Sequence, residues 1–384
     1  MMALDTTAGS IIHSRFRKLD GLAPGATFTV VRAYITAVAI TYLPLSIAAI
    51  LSPLSIVVPT AGHRLPFLYD WNVGFMCLVS FPCLVILTVT DQYVLARALR
   101  TVQSDGTITI SQEDEKRLSV RWHRLFQITN VAGQSLGIVV GMIVAYFNFA
   151  VYAPARVGFW IAQDGRLMPV GFVFLYCIFL FYALIPVYVV RNVTISLLLR
   201  DIVSHANLHL LPLHPDKCGG LRPVGRLGLR NQYALTILGF NILLLVAISR
   251  LYLDVPDSVN GLIVAAVIAY VILGPVVFMA PLLPFRGGML KTKSQLMSEV
   301  AQRLRMELDH LRTQLPSGPI YEKDEKLVER LRKIGAVIDE LPVWPFDAST
   351  LRKFLTAYVI PLIGGVGYPI LKAILNFVKI EIPI

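Results

Sequence analysis

The chain has 384 residues, 55% of them hydrophobic and 15% charged, with a mean hydropathy of +0.66 and a formal net charge of +11. A soluble domain averages roughly 25% charged residues, and no globular core of this size hides so much apolar surface, so the surrounding solvent is lipid. Nucleic acid is excluded as the partner of the basic excess, because Lys and Arg lie in blocks between apolar segments and not on one soluble face.

The N-terminal stretch MMALDTTAGSIIHSRFRKLDG lacks the apolar core of a secretory signal, so the first membrane helix is expected to direct targeting. Seven segments are then long enough to cross a hydrocarbon core of about 30 Å as helix. They lie near 33–59, 72–90, 127–152, 168–190, 233–252, 259–284 and 354–378. Backbone groups in lipid must be satisfied within a segment, and no alternating barrel pattern is present, so the predicted fold is an all-α polytopic bundle of six to seven spans. Pro44 and Pro53 predict kinks in the first segment, and Pro275 and Pro281 in the sixth. The expected division is a membrane bundle over 1–284, a helical hairpin over 285–353, and a terminal membrane helix with a short tail over 354–384.

Between the spans, alternate segments hold 28 and 6 Lys and Arg residues. Positive charge stays on the cytoplasmic side. The N-terminus, the 91–126 and 191–232 connections and the 285–353 segment are therefore expected inside, and the C-terminus outside. Anionic head groups on the cytoplasmic face are the expected partner of the basic connections.

Polar residues within spans are costly and point to interhelical bonds or function. They are Asp91 at the inner end of the second span, Asn130 and Gln134 on one face of the third, and Asn241 in the fifth. No span is expected to carry a carboxylate near its centre. The four cysteines are scattered, so neither a disulfide framework nor a zinc cluster is implied.

The connection LLPLHPDKCGGLRPVGRLG (210–228) is the densest polar stretch. His214 and Asp216 could serve as general base and its orienter, while Lys217, Arg222 and Arg226 could hold a phosphorylated head group. His205, His209, His214 and Asp216 are of ligand type, but nothing in their spacing fixes a shared centre, so no metal or cofactor is expected. Cys218 lies beside Lys217 and near Arg222, a setting that can lower a thiol's pKa, but a free cysteine with no specific partner is more often inert.

In the 285–353 segment Met297, Ala301, Leu304, Leu308, Leu311 and Leu315 recur every three or four residues. After PSGP, so do Leu327, Leu331, Ile334, Ile338 and Leu341. Two such stripes joined by a Pro/Gly turn predict an antiparallel helical hairpin, packed on itself or between subunits of a homo-oligomer. Asp347 or Ser349 is placed to cap the last helix, with Trp344 and Phe346 at the interface. The Val366-Gly367-Tyr368 triplet matches the centre of a potassium filter, but without the flanking pore and inner helices it reads as small residues for close packing.

Two motifs, His214 to Leu221 and Trp344 to Asp347, together with the helix layout, resemble a group of bacterial multi-pass membrane proteins without an established activity. These carry an HPD-x-x-GGL loop and a WPFD segment before the last hydrophobic helix. The resemblance implies a bacterial inner-membrane protein and assigns no catalytic residue. Two functions fit the sequence. The favoured one is an oligomeric pore, transporter or sensor component with the hairpin for assembly or gating. The alternative is a membrane-embedded enzyme acting on a lipid or phosphorylated head group through His214 and Asp216.

Overall fold

The computed structural model describes residues 26–52, 66–152, 160–163, 166–211, 214–216, 218–252, 257–314, 322–347, 349–356 and 358–360. The chain is an all-α helical bundle. In order, α1 is Ala26–Leu51, α2 Trp71–Ser104, α3 Gln112–Phe147, α4 Pro169–His205, α5 Arg222–Tyr252, α6 Asp257–Met279, α7 Leu283–Gln314 and α8 Glu322–Asp339. A last helical stretch, α9, covers 349–356 and 358–360. Helices α1 to α5 are each long and apolar enough to cross a membrane, and α6 with α7 forms a sixth, broken candidate bent by 46°. Pro53, Lys217, Leu315, Val366-Gly367-Tyr368 and most of the 354–378 segment lie outside the described residues.

Several helices run well past their apolar stretch. Helices α3 and α4 have 36 and 37 residues, about 55 Å at 1.5 Å per residue, against a hydrocarbon thickness of about 30 Å. The 91–126 connection is therefore mostly helix rather than loop. Ser111 caps α3, its Oγ accepting from Asp114 N at 3.1 Å, and Glu113, Asp114 and Glu115 fill the first turn, where negative charge suits the helix dipole. Residues 105–111 interrupt the helical run, with Gly106 in the turn at φ +71°. Four two-residue strands make two small ribbons. β1 (Ile108–Thr109) pairs antiparallel with β4 (Asn207–Leu208), Ile108 opposite Leu208. β2 (Ala162–Gln163) pairs with β3 (Arg166–Leu167).

The most extensive helix contact joins α3 to α4. Gly133, Gly137 and Gly141 form the seam: a Cβ on Gly137 would lie 2.2 Å from the Ala183 carbonyl oxygen, and one on Gly141 2.8 Å from that of Phe179. Small residues at this spacing let two backbones approach closely in lipid, where there is no hydrophobic drive between helices. Below the seam, Trp122 Nε1 donates to Asp201 Oδ2 at 3.0 Å and Arg121 pairs with the same oxygen at 3.4 Å.

Proline marks the breaks unevenly. Pro44 and Pro275 lie inside α1 and α6, and Pro186 inside α4. Pro281 falls in the three-residue turn between α6 and α7, where the chain bends. Phe278, Leu282, Phe285 and Met289 around that turn are completely buried. The first two turns of α7 are therefore rooted in the bundle. Further out, α7 and α8 pack together as a hairpin, and Lys293 Nζ pairs with Asp339 at 3.4 Å. Of the predicted stripes, Leu331, Ile338 and Leu341 are buried, Met297, Leu304 and Leu311 are half-buried, and Ala301, Leu308, Leu327 and Ile334 are exposed.

Candidate functional site

Two apolar cores are stacked along the bundle. The one away from the hairpin gathers Leu45, Phe81, Leu84, Phe174, Tyr188 and Ala234. The one beside the hairpin gathers Leu95, Trp122, Ile195, Leu199, Leu227 and Phe278. On each of α2, α4 and α5 the boundary between them falls on polar residues.

That boundary is a charged layer. Asp91 of α2 is 5% exposed, and its Oδ1 lies 3.0 Å from Arg230 Nη2 of α5. Arg230 also donates to Thr90 Oγ1 at 2.7 Å and to the Leu87 and Thr90 carbonyls. The Thr90 and Leu87 acceptors fix the guanidinium across a turn of α2. Arg191 of α4 donates to the Thr88 carbonyl at 2.8 Å. Thr88's own hydroxyl bonds back to Leu84 O at 2.8 Å. Behind the ion pair, Tyr188 OH donates to Asn231 Oδ1 at 3.1 Å, and Asn231 Nδ2 reaches the Val277 carbonyl of α6. Two atoms here are buried with no hydrogen-bond partner among the described residues: Asp91 Oδ2 and Arg191 Nε. Buried polar atoms are rarely left unpaired in a folded protein.

Asp91 is buried between helices 20 residues after Trp71, the first residue of α2. Asp91 is not at the end of a helix: α2 continues for 13 residues to Ser104. Arg191 and Arg230, counted among the loop charges by their place in the sequence, project into the bundle.

The other polar candidates are dispersed. Asn241 is buried and donates to Ser80 Oγ at 3.4 Å, tying α5 to the π-helical turn Met76–Ser80 of α2. Asn130 is half-buried and Gln134 exposed, both on α3, away from the ion pair. Asp70 at the far end of α2 caps that helix, accepting from Val73 N at 3.2 Å and from Trp160 Nε1 at 3.1 Å.

In the 210–228 connection, His214 and Asp216 meet: His214 Nδ1 lies 2.8 Å from Asp216 Oδ1. The carboxylate is already heavily engaged. Oδ1 accepts from Cys218 N at 2.8 Å and Gly220 N at 3.1 Å, and Oδ2 from Arg222 N, the first residue of α5, at 3.1 Å. Burial pushes the Asp216 carboxyl up, but these three N–H donors and His214 together outweigh it and hold the group below the usual carboxylate range. Gly219 and Gly220 complete the turn at φ +64° and +91°, and a Cβ on Gly220 would fall 2.1 Å from Thr107 Oγ1. Only glycine satisfies both demands at that position.

The surroundings of Cys218 do not activate it. Burial first, and then the Asp216 and Asp347 carboxylates, push the thiol up to about 12, and Arg222 offsets only part of this. Such a thiol stays protonated and is no nucleophile. Arg222 and Arg226 are exposed on the first turns of α5. His205 Nδ1 lies 2.9 Å from the Asp201 carbonyl and His209 is exposed. Among the described residues no three His, Cys, Asp or Glu side chains converge as a metal site.

The HPD loop and the WPFD segment, far apart in sequence, meet on α5. A Cβ on Gly225 would lie 2.1 Å from the Pro345 carbonyl oxygen and 3.2 Å from Phe346 Cβ. Trp344 and Phe346 are half-buried: Arg286 stacks over Trp344 at 4.4 Å, and Phe346 lies 5.8 Å from Phe278. Asp347 caps α9, accepting from Thr350 N at 3.0 Å and from Thr350 Oγ1 at 2.7 Å. The Thr350 hydroxyl in particular holds this carboxyl down to about 2. Compared with protein-family models, curated proteins and solved structures, the chain matches none of them.

Proposed function

We propose that this protein is a transport component of a bacterial inner membrane, a pore or transporter subunit whose solute path crosses the Asp91–Arg230 layer. The observation that carries the reading is that ion pair, with Arg191 beside it, set between two apolar cores of helices long and apolar enough to span. Charged side chains inside spans are expensive and mark pathways and relays far more often than they stabilise folds. The layer is also coupled to the hairpin. Arg230 lies two turns along α5 from Arg222, whose N–H is held by Asp216, and α5 packs on the α6–α7 turn. A shift of the hairpin therefore acts on the helix that carries Arg230, which suits a gating or assembly role. The N-terminus and the hairpin are cytoplasmic and the C-terminus periplasmic in this reading. Exposed Arg222 and Arg226 then face anionic head groups.

A second reading, an enzyme acting on a lipid or phosphorylated head group, draws on the His214–Asp216 contact. Asp216 could orient His214 as a base, but the same carboxylate is held by three backbone N–H groups, which accounts for its presence without chemistry. The discriminating experiment is flux through proteoliposomes loaded with mixed small ions and metabolites, with native protein, Asp91→Asn and His214→Ala. Transport lost in Asp91→Asn protein that is still folded after reconstitution, and kept in His214→Ala, supports the transport reading. No flux of any solute by native protein, or flux indifferent to Asp91, overturns it.

A further inference from the structure

At the end of the bundle away from the hairpin, α1, the start of α2 and α5 frame an open cavity of about 380 Å³. Ligand pockets begin at roughly this size. Its walls include the four aromatic rings of Tyr42, Phe67, Trp71 and Phe75, with Asp70 as the one acidic residue. No basic side chain lines it among the described residues. Phe67 and Asp70 are buried and Trp71 is 55% exposed, so the cavity leads from open surface to an interior carboxylate. Gly74 keeps one wall low: a Cβ there would meet nothing within 4 Å.

Trp160 fixes two of these walls at once. Its Nε1 donates to Asp70 Oδ2 at 3.1 Å, and its ring meets Phe67 edge-on at 4.9 Å, with Tyr42 stacked on Phe67 at 6.2 Å. Leu78 and Val79 also line the cavity, and both belong to the π-helical turn Met76–Ser80, an irregularity frequent at functional sites. An interfacial belt spreads Trp and Tyr over the outer surface, whereas these four rings converge on one space. The lining selects for charge. Aromatic faces are negative and attract cations, and a carboxylate does the same. Both Asp70 oxygens already accept a hydrogen bond, from Trp160 and from Val73 N, so the group offers charge more than acceptor sites. A primary ammonium has three N–H donors to satisfy and is poorly served here. A quaternary ammonium has none, and aromatic faces are its usual partners.

We propose that this cavity binds a quaternary ammonium group, with Tyr42, Phe67, Trp71 and Phe75 as its aromatic walls and Asp70 as its countercharge. A free solute and a lipid head group both carry this chemistry. The site goes beyond the transport reading, and its test needs no flux, so the two can fail separately.

The test is equilibrium dialysis of labelled choline against the full chain in maltoside micelles, with the uncharged isostere 3,3-dimethylbutanol as competitor. Native protein is expected to bind choline saturably, and the alcohol to compete at least about tenfold less well. Trp71→Leu keeps an apolar side chain at an exposed position and should weaken choline binding roughly 3- to 30-fold, the loss of one cation–π contact. Gly74→Leu should abolish binding by filling the space. Asp70→Asn should weaken it too; should that variant fail to fold because Asp70 caps α2, the other two decide. Phosphatidylcholine added to the micelles displaces choline if the occupant is a lipid head group and leaves it bound if the occupant is a free solute, and either result supports the proposed chemistry. No saturable binding, equal competition by the alcohol, or affinity unchanged by Trp71→Leu or by Gly74→Leu overturns the proposal.

Discussion

Asp91 and Arg230, 139 positions apart in sequence, are 3.0 Å apart and 5% and 13% exposed at their side chains. A buried pair seldom stabilises a fold relative to apolar residues of the same volume, yet removing one partner leaves the other charge uncompensated. Arg230→Gln and Asp91→Asn should therefore each destabilise the protein by about 3–5 kcal/mol, read as a lower midpoint of unfolding in detergent. The double variant Asp91→Leu/Arg230→Met should recover most of that stability. If the single variants melt like native protein, the pair carries no structural weight.

How much of this was legible in the sequence depends on the residue. Asp91 stands out because a carboxylate beside an apolar run is rare. Arg191 and Arg230 do not, because span limits are drawn where charge begins, so each is assigned to the adjoining loop by the rule that reveals orientation. Moving both into the bundle leaves 26 Lys and Arg against 6, and the orientation argument survives the correction. The hairpin is legible from period alone, but period cannot say which positions are covered. Leu331 is 7% exposed and Ile334, three residues on, 49%, because two helices bury only one narrow seam. The HPD and WPFD motifs read as separate sites, and nothing in their spacing shows that both meet the first turns of α5.

The α3–α4 seam gives a prediction of opposite sign at two glycines. Replacing a helical glycine by alanine ordinarily gains up to about 1 kcal/mol. Gly74→Ala in α2 should show that gain, since its Cβ would meet nothing within 4 Å. Gly137→Ala should instead lose about 1–3 kcal/mol, the usual cost of overpacking, because the Ala183 carbonyl at 2.2 Å is backbone and cannot turn aside. Paired melting curves of the two variants check it. A stabilised Gly137→Ala would mean the helices are not in contact there.

Asp216 sets a pH dependence. Its folded pKa lies below the ordinary value of about 3.9, so the folded state binds its proton less readily than the unfolded chain does. The contribution to stability is then fully present above about pH 4 and is lost as pH falls through the lowered folded value. The difference in melting temperature between native protein and Asp216→Asn should accordingly be constant from pH 5 to 7 and shrink below pH 4. A gap that stays level into the acid range would detach Asp216 from the turn.

The same carboxylate keeps Cys218 out of reach. Cys218 is completely buried, its N–H is held by Asp216 Oδ1 at 2.8 Å, and its thiol is raised to about 12. At pH 8 almost none of it is thiolate, and that small fraction is screened from solvent, so maleimide should leave it unmodified in the native fold for hours. Asp216→Ala strips the acceptor from three backbone N–H groups at once, and unpaired buried donors drive the turn open toward water. The variant should label at Cys218 at least tenfold faster while its helix content is unchanged, with peptide mapping to distinguish this thiol from Cys83. His214→Ala removes one donor to Asp216 but leaves the three backbone donors in place, and should label only slightly faster than native protein. Equal rates in native protein and Asp216→Ala would show that the turn is held by its glycines and by packing on Thr107 alone, with the carboxylate then free for another task.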